Sequence, residues 1–139
     1  MILFPIQIPV KPVPHAHQIF LAKFGMTAAA EAVGRVGKSN EFDGAIQDAV
    51  TEYCWGMGWG REGVLDRKMR SMLNLAMLTA LGKPHELRAH TRGALRNGVT
   101  VEEIREVLIH ATVYCGIPAG VDAFRNAKEA IDAWEADQK

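Results

Sequence analysis

The sequence predicts an all-α protein, a compact bundle of about six helices. Three observations carry that expectation. Apolar residues recur at three- and four-residue spacing from residue 16 almost to the end, the period of a helix with one buried face. No alternating strand pattern competes with it after residue 14. Glycine and proline clusters also cut the chain into helix-length pieces with short connections.

Taken in order, the chain opens on an arm. Four of its six prolines are Pro5, Pro9, Pro12 and Pro14, and each fixes its own φ and pushes the residue before it out of the helical region. Residues 1–14 are therefore expected to be extended, and 15–139 to form a single helical domain. The arm carries too many apolar residues for a solvated tail and is expected to lie on its own domain or on a neighbouring subunit. Residues 16–36 follow with Ile19, Phe20, Phe24, Ala28, Ala32 and Val36 at helical spacing, broken near Gly25. From Ser39 the series Phe42, Ile46, Ala49, Val50, Tyr53 and Cys54 reads as an amphipathic helix that stops in a glycine-rich loop, Gly56 to Gly60. Asp66 is placed to cap a helix over 67–81, with Met69, Met72, Leu73, Ala76, Met77 and Ala80 on one face and Leu75 and Leu78 widening the stripe. Gly82 ends it. Pro84 starts the next, 84–96, closed by Asn97-Gly98. Thr100-Val-Glu-Glu103 is a capping box for a helix over 101–114. After Gly116-Ile117-Pro118, residues 119–136 form the last.

Composition excludes several classes. With 48% hydrophobic and 23% charged residues the chain has enough apolar mass for a core. Its 16 basic residues balance 16 acidic ones, whereas nucleic-acid binders show a basic surplus. No apolar run reaches the ~18 residues of a membrane span. The opening segment has no basic n-region or unbroken apolar h-region, so it does not read as a signal peptide. Cys54 and Cys115 make no disulfide framework, and a reducing, cytoplasmic setting is expected. Both are expected to be buried as small hydrophobes.

Candidate chemistry lies on the helices. Glu86 and His90 are four residues apart, as are Glu106 and His110, so each pair shares a helix face and can work as an acid/base couple. An antiparallel hairpin of their helices would bring His90 and His110 into one pocket. Arg70, Arg92 and Arg96 are candidates to clamp a carboxylate bidentately. Trp55 and Trp59, flanking the glycine-rich loop, can wall an aromatic-sized pocket. A metal site would draw on His15, His17 or the two Glu/His pairs, but the usual di-metal helix pattern spaces Glu and His three apart. None is expected.

From about Thr51 to Ala130 the order of residues resembles a known family. The matching stretches are Trp55-Gly, Gly63-Val-Leu-Asp-Arg-Lys-Met-Arg-Ser and Leu-Asn-Leu-Ala-Met-Leu-Thr-Ala-Leu-Gly. They continue as His85-Glu-Leu-Arg-Ala-His90, Ala94-Leu-Arg-Asn-Gly-Val-Thr and Glu103-Ile-Arg-Glu-Val-Leu-Ile-His110, ending in Val113-Tyr-Cys-Gly-Ile-Pro-Ala-Gly. This resembles the carboxymuconolactone decarboxylase family, of the alkyl hydroperoxidase D-like superfamily. The resemblance implies the all-α fold of that superfamily and a homotrimer or homohexamer with active sites close to subunit contacts.

It also offers two chemistries. Alkyl hydroperoxidase D uses C-x-x-C-x-x-x-H as its redox centre. Placing that histidine on His90 puts the thiols at Lys83 and Glu86, so a dithiol peroxidase has no chemical basis there. The decarboxylase branch keeps Glu-x-x-x-His, here Glu86 and His90, and commonly a histidine at the position of His110. The implied function is loss of CO2 from a small, anionic, carboxylated lactone such as γ-carboxymuconolactone, with no cofactor, by enolate formation and His-mediated protonation from His90 or His110. Glu86, His90 and His110 would be catalytic, and Arg70, Arg96, Tyr114, Trp55 and Trp59 would bind substrate. Family members often read Trp-Ser/Thr-Arg-Pro-Gly-Leu where this chain has Trp59-Gly-Arg-Glu-Gly-Val-Leu, one residue longer and without the proline. A non-catalytic oligomeric binding protein on the same fold is the remaining alternative.

Overall fold

A computed structural model describes residue 42 and residues 44–61 and 63–138. The proline-rich arm, the helical segments read over 16–36, and His15 and His17 lie outside the described residues. Within them are six helices and no strand: α1 (Gly44–Ala49), α2 (Val50–Trp59), α3 (Arg67–Ala80), α4 (Pro84–Arg96), α5 (Val101–Cys115) and α6 (Ile117–Asp137). The chain divides between Arg61 and Glu62 into two compact units.

In the first unit α1 runs directly into α2, a π-helix. This corrects the expected loop at Gly56–Gly60, since helical turns continue to Trp59. A glycine costs a helix interior about 1 kcal/mol against alanine without breaking it, and with no Cβ it does not crowd the wider turn. Trp55 and Trp59 are therefore one helical turn apart on α2 and not on a loop. Phe42, Ile46 and Tyr53, expected on a buried face, are exposed.

The second unit is a four-helix arrangement with local signals that match the sequence. The Asp66 carboxylate accepts from Met69 N–H at 2.7 Å and caps α3. Thr100 and Glu103 form a reciprocal capping box at the start of α5, with bonds of 3.2 and 2.8 Å. Pro84 occupies the first turn of α4. Gly116 alone joins α5 to α6 at φ +91°, a backbone conformation that side chains resist. The last helix consequently starts at Ile117, before the proline, because a first-turn proline has no intrahelical N–H to lose.

Around the unit, α3 packs on α4, α4 on α6, α6 on α5 and α5 on α3, with α3 and α6 touching across the middle. The enclosed core is Leu75, Leu87, Ala94, Val99, Ile104, Leu108, Ala123 and Ala127. Alanines on α6 keep its side chains short and let its neighbours come close. On α3 the outcome differs from the expected stripe: Ser71, Leu75 and Thr79 face the core, whereas Met69, Leu73 and Met77 are exposed. This helix has two apolar faces, and periodicity does not say which one the rest of the chain covers. A second uncovered apolar face, made by Ile109, Val113, Ile117, Val121 and Phe124, spans α5 and α6. No described helix is long and apolar enough to cross a membrane.

Candidate active site

The α3–α4 hairpin closes through Leu81-Gly82-Lys83, with Lys83 N–H donating to the Leu78 carbonyl at 3.1 Å. The two helices therefore run antiparallel, and two polar contacts cross their seam. At one end, Asn97 Nδ2 donates to Ser71 Oγ at 3.0 Å, and Ser71 in turn donates to the Arg67 carbonyl. At mid-seam, Asn74 Nδ2 on α3 stands 3.5 Å from His90 Nδ1 on α4. Both side chains are half-buried.

His90 is thus the imidazole taken out of bulk water. Burial pushes its pKa below the ordinary histidine value, and Glu86, one turn earlier on the same helix, pulls weakly the other way. Burial wins because it removes hydration from the cation, while Glu86 is itself exposed to screening solvent. The imidazole is accordingly neutral near pH 7. Arg70 is half-buried one turn from Asn74 on the same face of α3, as the i, i+4 spacing requires.

The other expected site residues are placed elsewhere. His110 is exposed on α5, with its ring centroid 5.1 Å from that of Tyr114. Tyr114 is 78% exposed, so within this chain it shields nothing from water. The hairpin expected to unite the two histidines does not form: α4 and α5 occupy opposite corners of the unit, each packed on α3 and α6. The Val99–Thr100 connection turns α5 onto the far side of α3 instead of back onto α4. The two Glu/His pairs do not converge, and among the described residues no three His, Cys, Asp or Glu side chains gather as a ligand set.

The arginines separate similarly. The Arg96 guanidinium lies 5.7 Å over the Trp134 ring on α6, and Arg92 bonds Asp137 at 3.3 Å. Both reach toward α6, away from the α3 seam. Trp55 and Trp59 belong to α2 of the first unit. Cys54 and Cys115 are exposed, contrary to the buried reading. Cys115 keeps register with the core stripe Ile104, Leu108 and Ala111, but it is the last residue of its helix.

The site residue that motif and spacing pass over is Asn74. It does leave a signal: a short amide inside the apolar run Leu73-Asn-Leu-Ala-Met competes with the helix backbone, and it needs a partner when buried. A groove on the second unit does not contain His90. It is the apolar α5–α6 face, where the one hydroxyl, Thr112, is already given to the Leu108 carbonyl at 2.7 Å. That groove has nothing with which to hold an anion.

Fold and seam together describe a small helical domain with a partly buried, neutral imidazole beside an amide, with a carboxylate one turn before it on its own helix and an arginine one turn before the amide. The model of the carboxymuconolactone decarboxylase family matches residues 44–129, and this chain belongs to that family. It is 46% identical over 86 residues to a nitrosuccinic acid decarboxylase of Metarhizium robertsii, an alignment covering 62% of this chain and 59% of that protein. It is 37% identical over 115 residues to a 4-carboxymuconolactone decarboxylase of Acinetobacter baylyi, covering 78% of this chain and 85% of the relative.

Proposed function

We propose that this protein is a cofactor-independent decarboxylase of a small, doubly carboxylated substrate, 4-carboxymuconolactone being the first to test. The observation that carries the reading is His90: a half-buried, neutral imidazole at the α3–α4 seam, partnered by Asn74 and one turn from Glu86. A neutral imidazole can offer an N–H to developing negative charge.

The compounds named for the two relatives share a chemistry. Nitrosuccinic acid and 4-carboxymuconolactone each carry two carboxyl groups, and each carries its own electron acceptor, a nitro group or a conjugated lactone. When the C–C bond to the departing carboxylate breaks, its electron pair enters that acceptor and CO2 leaves. The resulting nitronate or dienolate then takes a proton at carbon. Such a substrate calls for no external electron sink. The protein must hold the retained carboxylate, stabilise the anionic oxygen and supply the proton. Arg70 is assigned the first task and His90 the second; the proton that carbon takes comes from water relayed through a histidine of the site, and Glu86 orients His90. His110 and Tyr114 remain candidates to complete the site from a second copy of the chain.

That second copy is part of the proposal. The uncovered faces Met69/Leu73/Met77 and Ile109/Val113/Ile117/Val121/Phe124 leave eight large apolar side chains exposed, and clustered exposed apolar residues mark association surfaces, which supports a homotrimer or homohexamer. Light scattering of the purified protein reads this directly, and a monomer at micromolar concentration overturns it. For the activity, CO2 release from 4-carboxymuconolactone and from nitrosuccinate is followed with wild type and His90→Ala. Release by wild type and its loss in the variant support the reading. Release by neither protein from either compound overturns it.

A further inference from the structure

We propose that Asn74 is a positioning residue that fixes the proton of His90 on Nε2, so that the seam presents an N–H donor outward and not a base. The assignment deepens the decarboxylase reading and rests on it for the role of that donor, but its structural half stands on geometry alone. The amide nitrogen of Asn74 points at Nδ1, 3.5 Å away. With its NH2 facing the ring the amide donates to Nδ1, which assigns the single proton of the neutral ring to Nε2.

Among the described residues of α3, α4 and α6, the charged and polar groups do not compete for that choice. Glu86 is the charge that acts on His90 from its own helix. From α3 the facing group is the neutral amide of Asn74, with Arg70 one turn before it. From α6, the other helix packed on α4, the partners are taken up elsewhere: Asn126 and Glu129 with Arg88, Asp137 with Arg92, and Trp134 with Arg96. Asn74 also explains a cost in the sequence. An asparagine at mid-helix is a poorer helix former than the Leu or Met beside it, and a partner across the seam accounts for its place.

The consequence is a division of labour. A ring with Nδ1 occupied by a donor and Nε2–H directed outward stabilises the enolate or nitronate oxygen by hydrogen bonding while the C–C bond breaks. It does not abstract a proton. The amide at Nδ1 also opposes formation of the imidazolium, whose second N–H would face the amide hydrogens.

The test is long-range ¹H–¹⁵N NMR of the full-length oligomer, paired with CO2-release kinetics, for wild type, Asn74→Leu and Asn74→Asp. Wild type is expected to show His90 as the Nε2–H tautomer. Asn74→Asp is expected to move the proton to Nδ1 and raise the His90 pKa, because a carboxylate accepts where the amide donated. With it kcat falls roughly tenfold to a hundredfold, at or below the 10²–10⁴ that a positioned donor contributes, while KM stays within about twofold. Asn74→Leu keeps the helix and is expected to give mixed tautomers with a smaller fall in kcat. An Nδ1–H tautomer in wild type, or an unchanged tautomer in Asn74→Leu, overturns the assignment. The expected tautomers with no CO2 released from either compound overturn the decarboxylase reading and leave Asn74 as the residue that sets His90.

Discussion

His90 and His110, the two histidines that the family pattern offers for chemistry, stand on helices at opposite corners of the same four-helix unit. The first is half-buried against Asn74, and the second is exposed beside Tyr114. Equal helical context has therefore produced unequal groups. For His90, the loss of water is enough to move its proton affinity.

Replacement should expose that inequality. His90→Ala is expected to lower kcat for CO2 release by about 10²–10⁴, the range for losing a positioned donor. His110→Gln is expected to cost less than His90→Ala, since His110 reaches the site only from a second copy of the chain and, among the described residues, has no seam partner like Asn74 to fix its ring. Steady-state rates of the two variants decide it, and a larger loss in His110→Gln would reverse the assignment.

The arginines divide in the same way. Arg70 shares a face of α3 with Asn74, so Arg70→Ala is expected to raise KM for a dicarboxylate about tenfold or more, the worth of a charge-assisted hydrogen bond. Arg96 is engaged with Trp134. Arg96→Ala should leave KM unchanged and destabilise the fold by about 0.5–1 kcal/mol, as for a cation–π contact near solvent. Substrate titration and thermal melts of both variants separate the two roles.

Much of the second unit is legible in the sequence alone. The starts of α3, α4 and α5 follow from Asp66, Pro84 and the Thr100/Glu103 box, because caps are local and their chemistry is written within four residues. The Glu86–His90 register is likewise a consequence of helical pitch. What stays hidden depends on partners distant in sequence. Spacing cannot reveal that α5 crosses to the far side of α3, nor that Asn74 meets His90 sixteen residues away. It cannot choose between the faces of α3, as Leu75 and Leu73 are equally apolar and only the packing of α4, α5 and α6 buries one of them. The glycines of α2 mislead for a related reason: a helix tolerates residues that disfavour it.

Stability should fall on acidification through His90. Its folded pKa lies below the unfolded value of about 6.5, so folding favours the neutral ring. That contribution is complete above about pH 6.5 and is lost as pH drops through the folded pKa, when the buried ring must charge. Urea denaturation at stepped pH from 8 to 5 should show wild type weakening relative to His90→Leu, by at most about 1.4 kcal/mol per pH unit for one proton. Parallel curves for the two proteins would deny the buried, neutral state.

Helix α6 approaches α5 at Gly120, where a Cβ would run into the Thr112 side chain, its branch carbon included. A branch carbon cannot swing aside as a chain end does, so the helices themselves must separate. Gly120→Ala is expected to destabilise the protein by about 1–3 kcal/mol despite alanine's better helix propensity. Thr112→Ser/Gly120→Ala, which removes the clashing γ-methyl and frees the hydroxyl to rotate away while the Cβ stays, should recover part of the loss. Chemical denaturation of the three variants measures both effects, and a stabilised Gly120→Ala would show that this contact yields freely.

The start of α5 is held by a chain of three groups: Lys68 on α3, Glu103, and the Thr100 cap. Lys68 Nζ lies 2.7 Å from Glu103, and the Thr100 N–H donates to the same carboxylate at 2.8 Å. The lysine bond first, and the backbone bond after it, hold the Glu103 pKa below the usual carboxylate value. A depressed carboxylate stabilises the fold above its unfolded pKa and ceases to do so as pH falls through the folded one. Glu103→Gln should therefore lower Tm at pH 7, and the gap to wild type should close only as pH falls below the ordinary carboxylate range and through the depressed folded pKa, where the wild-type carboxyl is also neutral. Thr100→Ala removes the cap itself and should cost about 1 kcal/mol at either pH. A Glu103→Gln deficit that persists undiminished in acid would assign the effect to lost packing, since the ion pair is gone under those conditions.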